Sequence, residues 1–180
     1  MPIASGDLLY KYSVKTGSAG NSQAGTAAGS LGKYISTTQI TSAQLNNLFD
    51  DVSGDENAES DVEYRCIFIH NNHGSLTLQD AVMWLSAEVA DGADVAIAVD
   101  DLAASAIGSA SAQADEIADE DTAPTGVGAF SSPTSKGAGI SIGDIAAGEC
   151  RAIWVRRTAT NSAALNNDGA TIRVEGDTAA

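Results

Sequence analysis

From residue 62 onward the chain repeats one device, a short run of alternating apolar residues followed by a cluster of turn formers. The runs are "VEYRCIFIH", "SLTLQDAVMWLSAE", "ADVAIAVD", "GISIGDI", "CRAIWVRRT" and "ATIRVEGD"; HNNHG, AAGE and NNDG are the clearest breaks. Period-two alternation marks a half-buried strand, and the absence of strand–helix alternation argues against a parallel sheet. The pattern predicts an all-β fold, an antiparallel β-sandwich of immunoglobulin-like or jelly-roll-like kind, over residues 60–180. Residues expected to face its interior are Cys66, Phe68, Leu76, Leu78, Val82, Trp84, Val95, Ile97, Val99, Ile142, Ile153, Val155, Ile172 and Val174. A one-residue slip in the first strand exchanges Cys66 and Phe68 for Ile67 and Ile69. A bend is expected at Gln79-Asp80.

Upstream the pattern changes. Residues 1–39 mix short apolar pieces with Gly/Ser/Ala stretches; "LLYKYSVKT" suits a strand, while "GSAGNSQAGTAAGSLG" holds too little apolar area to fold alone. The segment reads as an extended N-terminal arm, ordered by a neighbouring subunit and dispensable for folding of the body. Its expected contact residues are Leu8, Leu9, Tyr10, Lys11, Tyr12, Lys15, Lys33 and Tyr34. Residues 40–59 read as a short helix followed by an acidic linker. Ser42 is the expected N-cap, Leu45, Leu48 and Phe49 the apolar face, and Gly54 the stop. Residues 100–139 form a long Ala/Ser/Gly/Asp-rich insertion, with a second short helix expected near 111–119. A segment of that length inside one domain is usually an interaction loop.

Charge narrows the partners. The 180 residues carry a formal charge of −15. That opposes nucleic-acid binding, which needs Lys and Arg to displace phosphate counterions. Residues 1–45 hold Lys11, Lys15 and Lys33 against Asp7 alone, about +2, which leaves about −17 for the rest. A mildly basic arm on an acidic body suits docking onto an acidic neighbour. The first residues, Met-Pro-Ile-Ala-Ser-Gly-Asp, lack the basic start and apolar run of a secretory leader. No window approaches the ~20 apolar residues of a membrane span.

Reactive groups are sparse. His70 and His73 are the only histidines, three apart around Asn71 and Asn72. Strand positions i and i+3 point to opposite faces, and further ligands for zinc are lacking, so HNNHG reads as a hairpin turn. Cys66, Trp84 and Cys150 imitate the spacing of disulfide-bonded immunoglobulin domains, but Gly148 stands where those domains carry a tyrosine. Both cysteines are expected as buried thiols. The carboxylates Asp50, Asp51, Asp55 and Glu56, and those from Asp115 to Asp121, do not follow a calcium-loop spacing. Gly32-Lys33 is followed by Tyr34, which breaks the phosphate-loop pattern, and no Gly-x-Ser-x-Gly elbow occurs. Arg156-Arg157 places one guanidinium on each face of a strand. No catalytic residue, metal ligand or cofactor site is assigned.

The hairpin "EYRCIFIHNNHGSLTLQDAVMWL" and the block "DTAPTGVGAFSSPTSKGAGISIGDIAAGECRAIWVRRTAT…NNDGATIRVEGDT" resemble proteins encoded beside the head and tail genes of tailed bacteriophages. The shared character lies in Arg-Cys-Ile-Phe-Ile, Ala-Pro-Thr-Gly and the Gly-Asp-Ile…Gly-Glu…Ile-Trp-Val-Arg-Arg block, together spanning roughly residues 62–178. The resemblance implies a non-enzymatic virion protein, most like a capsid decoration (cement) protein on the outer capsid surface, made in the bacterial cytoplasm. The implied partners are the major capsid protein and further copies of the chain. A homotrimer is expected from the local three-fold positions of shells. A tail, neck or fibre component is the alternative within the virion, and a carbohydrate- or host-binding module the alternative outside that class.

Overall fold

The computed structural model describes residues 2–178 except 164 and 166. It is an antiparallel β-sandwich. The larger sheet contains β1 (Leu8–Val14), β2 (Tyr34–Gln39), β3 (Val62–Asn71), β5 (Asp94–Val99), β6 (Ser105–Ala106) and β8 (Glu149–Thr158), in the order β2-β1-β3-β8-β5 with β6 also on β8. The smaller sheet is β7-β4-β9, built from β7 (Ile140–Ile145), β4 (Leu78–Glu88) and β9 (Ala170–Thr178). β4 bends where the reading of Gln79-Asp80 places it: Asp80 has φ 48° and the pairing with both neighbours shifts register there. Of the NNDG turn, Asn166 lies outside the described residues.

The interior between the sheets is aliphatic. Ile67 and Ile69 of β3, Ile153 and Val155 of β8, and Ile97 of β5 meet Met83 and Leu85 of β4 and Val174 of β9. The opposite face of the larger sheet is buried as well, by Cys66, Phe68, Cys150, Ala152 and Trp154. The two registers weighed for the first strand are therefore both inside. Alternation gives no choice when both faces are covered. Leu76, Val82, Val95, Val99 and Ile172 are only partly buried, whereas Ile35, Met83, Leu85 and Ile145 are core residues beyond those expected.

Loops cover that second face. Ala114 and Ile117 of the 100–139 segment seat against it, flanked by Leu31, Ile107, Val127 and Phe130. Small residues let the covering backbone come close. A Cβ on Gly20 would lie 2.1 Å from Gln113 Oε1, and one on Gly32, at φ +95°, would lie 1.8 Å from the Asp115 carbonyl oxygen. The cover also closes sheet edges. Ser131 exchanges main-chain bonds with Ile97 on β5 (2.9 and 3.1 Å), and Asn21 and Gln23 bond Ile35 and Thr37 on β2 (2.6 and 2.8 Å).

Four expectations are corrected. Residues 1–39 are no detached arm: β1 lies between β2 and β3, so the segment is part of the body. Its composition misled because the apolar surface that orders it belongs to Phe68 and Trp154 of the same chain. The helix is not at 42–53. Ala43 and Asn46 sit at φ 59° and 56°, which ends any right-handed turn, and the helix is α1 (Gly54–Glu59). Its Ser53–Glu56 capping box fixes the start. The second helix expected near 111–119 is bends and short bridges.

HNNHG is not a hairpin turn either. β3 and β4 lie in different sheets, so residues 72–77 cross between them. Asn71, fully buried, holds the crossing by donating to the carbonyls of Leu76 (2.8 Å) and Ile145 (2.9 Å). Removing residues 1–39 strips β1 and β2 and opens the edge of β3. The truncated chain is expected to be insoluble or to lose its cooperative thermal transition; a sharp melt comparable with the full chain's would refute the intramolecular sheet.

Candidate functional site

The eight residues assigned to intersubunit contact are engaged within the chain. Leu8 packs on the inter-sheet core, and Leu9 is half-buried opposite His70. Tyr10 faces the same core; burial raises its phenol to about 12, although the Val174 N–H donates to it. The Tyr12 hydroxyl donates to Asn47 O (2.6 Å) and that of Tyr34 to Ala110 O (3.1 Å). Lys11, 8% exposed, donates to Asn21 Oδ1 (2.9 Å). Lys15 donates to Ile117 O (2.8 Å), and both Lys15 and Lys33 pair with Glu116 at 3.8 and 3.3 Å. Sequence pattern located the strand correctly and its partner wrongly, because alternation does not say whose sheet a strand joins.

The histidines and thiols hold structural positions. His70 lies on the covered face of β3, opposite Cys150 and beside Leu9. Burial first, and the Lys11 ammonium second, hold its ring below the ordinary 6.5. Burial pushes the Cys150 thiol up to about 12 and Cys66 well above its usual value, the reverse of activation. Both are free thiols. Gln113 covers Cys150: its Nε2 donates to Sγ (3.3 Å), Ser105 Oγ (3.0 Å) and Ala106 O (2.9 Å). His73 has a different task. Its Nδ1 accepts the N–H groups of Ser75 and Leu76 at 3.2 and 3.0 Å, organising the crossing.

A charged cluster stands at one end of the sandwich. Glu63, Arg65 and Arg157 project from the inner face of the larger sheet, where alternation alone predicts apolar residues. Arg157 Nε donates to Glu63 (2.6 Å) and its terminal nitrogens reach Glu63 and Asp50; Arg65 pairs with Glu120. Phe49 lies between the two guanidiniums, 5.4 Å from that of Arg65 and 4.9 Å from that of Arg157. Burial raises the Glu63 carboxyl, with Arg157 pulling the other way. On the covered face the buried Asp100 accepts from Trp154 Nε1 (2.9 Å) and from the N–H groups of Leu102 (2.9 Å) and Asp115 (2.8 Å). These are scaffold bonds, in which each buried charge has hydrogen-bonding partners.

The acidic groups are likewise distributed. Glu116 is held by two lysines, Glu120 by Arg65, and Asp115 by the N–H groups of Thr125 (2.8 Å) and Gly126 (3.2 Å). Among the described residues no three His, Cys, Asp or Glu side chains gather as a metal site, and no helix is long and apolar enough to cross a membrane.

A groove of about 1030 Å³ lies beside the charged cluster, walled by the 42–53 segment. Leu45 (69% exposed), Val89 (38%) and Leu165 (43%) line it. Sequence reasoning treated Leu45 as the buried face of a helix; the exposed apolar rim follows from the helix forming elsewhere. Set against known protein families, curated proteins and solved structures, the chain finds no match.

Two expectations follow from these groups. Arg157→Met leaves the Glu63 carboxylate buried without its main partner and is expected to cost about 3–5 kcal/mol in urea unfolding; the Arg157→Met/Glu63→Gln double variant should recover part of that loss. His70 is held below its ordinary value, so folding favours the neutral ring. That contribution is complete above about pH 6.5 and is lost as pH falls through 6.5 toward the folded value, because the unfolded ring takes its proton first. Between about pH 7.5 and 5.5 the urea midpoint of the parent should fall more than that of His70→Gln; parallel profiles would show that His70 does not couple to folding.

Proposed function

We propose that the chain is a non-enzymatic structural component of a tailed-phage virion, reinforcing the capsid as a decoration protein bound at capsomer junctions. The reading starts from the resemblance of residues 62–178. Those residues form β3 through β9, both sheets apart from β1 and β2, so the likeness concerns the scaffold.

One observation supports the proposed position on an outer surface. All nine Lys and Arg residues make internal contacts. Lys11 goes to Asn21, Lys15 and Lys33 to Glu116, Arg65 to Glu120, Lys136 and Arg173 to Glu175, and Arg157 to Glu63. Arg151 donates to Leu102 O, and Arg156 lies 5.3 Å from the Phe130 ring. The −15 excess is thus displayed as carboxylates with no free cationic patch beside it among the described residues. Such a body is repelled by packaged DNA and suits the exterior of a shell. Phe130, the loop aromatic open to a glycan-binding reading, instead packs edge-on against Tyr64 at 5.5 Å and beneath Arg156. That favours the structural role over a carbohydrate-binding one.

A purified particle should contain the chain in amounts rivalling its major capsid protein on a stained gel, with antibody label spread over the capsid. A faint band with label confined to the tail or neck would transfer the chain to those parts, and absence from particles would end the virion reading.

A further inference from the structure

The groove beside the charged cluster opens the space between the sheets along β9. Its floor includes Tyr10, Ile67, Val155 and Ile172, and the cavity lined by residues 88–94 extends it by about 440 Å³. Three of the four large apolar side chains exposed among the described residues, Leu45, Val89 and Leu165, line it. Water over so much apolar area is an unfavourable arrangement that a partner relieves.

The sheet edge beside the groove is open. β9 pairs with β4 alone. The Gly169 carbonyl accepts from Val89, just beyond β4 (3.0 Å), so Val174, an odd number of residues further along, turns its N–H and C=O groups away from β4. Strand alternation turns the N–H and C=O groups of Ile172 and Ala170 the same way, and both residues line the groove. The larger sheet has its outer edges covered by loops, whereas this stretch of β9 has no main-chain partner beyond β4 among the described residues. Charge completes the site. Asp50, Asp51 and Asp168 line the groove and Glu88, Asp91 and Asp94 its extension. Arg157, the cation among its described lining residues, is consumed by Glu63 and Asp50.

We infer that the groove receives an extended segment of a partner protein, added as a strand to the open edge of β9. Apolar side chains at alternate positions seat against the inter-sheet floor, and Lys or Arg between them meet the carboxylate rim. Main-chain bonds hold the segment and the alternating side chains select it. A second copy of this chain is the poorer occupant, because its cations are already spent and its net charge repels. The groove has this chemistry in any assembly, so the inference does not depend on a virion.

The test uses the full chain and a labelled synthetic peptide of alternating Val and Lys, followed by fluorescence anisotropy. Saturable binding is expected. It should weaken by about tenfold or more in Leu45→Asp/Leu165→Asp, weaken with added salt and in Asp51→Lys, and disappear when alternate peptide nitrogens are methylated on the pairing edge. Leu102→Asp, an exposed apolar residue outside the groove, should bind as the parent does, and thermal melts of every variant should match the parent's. Absence of binding overturns the inference. So does binding that survives both methylation and the double variant, or equal binding of a Val–Glu peptide, since either marks adsorption by charge or by grease alone. A dimer or trimer in solution that Leu45→Asp/Leu165→Asp dissolves, with the peptide not bound, assigns the groove to self-association instead.

Discussion

Strands β3 and β8 are buried on both faces, and the rest of the chain is arranged around that demand. Between the sheets, Ile67, Ile69, Ile153 and Val155 meet the smaller sheet. On the far side, Phe68 and Trp154 would face water unless something covered them. No third sheet among the described residues does so. The cover is backbone from residues 15–33 and 100–130, close enough that Gly20 and Gly32 tolerate no side chain. A cover of main chain brings unpaired polar groups with it, and these must be satisfied in place. Gln113 and Asp100 do this from within, bonding Ile35, Ser105, Leu102, Asp115 and Trp154. Low-complexity composition here is a packing solution.

The same economy governs charge. A chain with 24 acidic and nine basic residues uses its cations to tie loops to strands, Lys15 and Lys33 to the 115–120 segment and Arg157 to the 42–53 segment. Buried pairs such as Arg157–Glu63 contribute little net stability, because desolvation offsets their attraction, but they fix which loop meets which strand. The exterior is mainly carboxylate, with the exposed Lys136 and Arg173 paired to Glu175. An acidic exterior, closed edges on the larger sheet and an open apolar groove at one end are the features on which the proposed docking rests.

Legibility differed by element. The six strands from β3 to β9 that carry long alternation were readable, as was the bend at Gln79-Asp80, because a pleated strand imposes its period on the residues whatever lies nearby. β6, two residues long, and β2, whose Ser-Thr-Thr-Gln half lacks apolar alternation, were missed. Ser53-x-x-Glu56 was a readable capping box overlooked in favour of Leu45, Leu48 and Phe49, whose helical spacing was accidental: Asn47 bonds Thr41 and ends regular structure there. Of the candidate site, Arg156 and Arg157 on opposite faces were foreseen, but not the partners of Arg157, Glu63 and Asp50. The groove was not foreseen, since it is made by residues 42–53 failing to be a helix.

By itself the sequence determined an all-β, antiparallel, strongly acidic chain without a clustered catalytic motif, because period, charge and spacing are local properties. Which sheet each strand joins, that β1 belongs to the chain's own body, that both faces of β3 are inside, and that an edge of β9 stays open were decided only by tertiary structure. Those outcomes depend on long-range pairing, and two strands with the same alternation carry no local mark of whether they will be neighbours or lie across the core from one another.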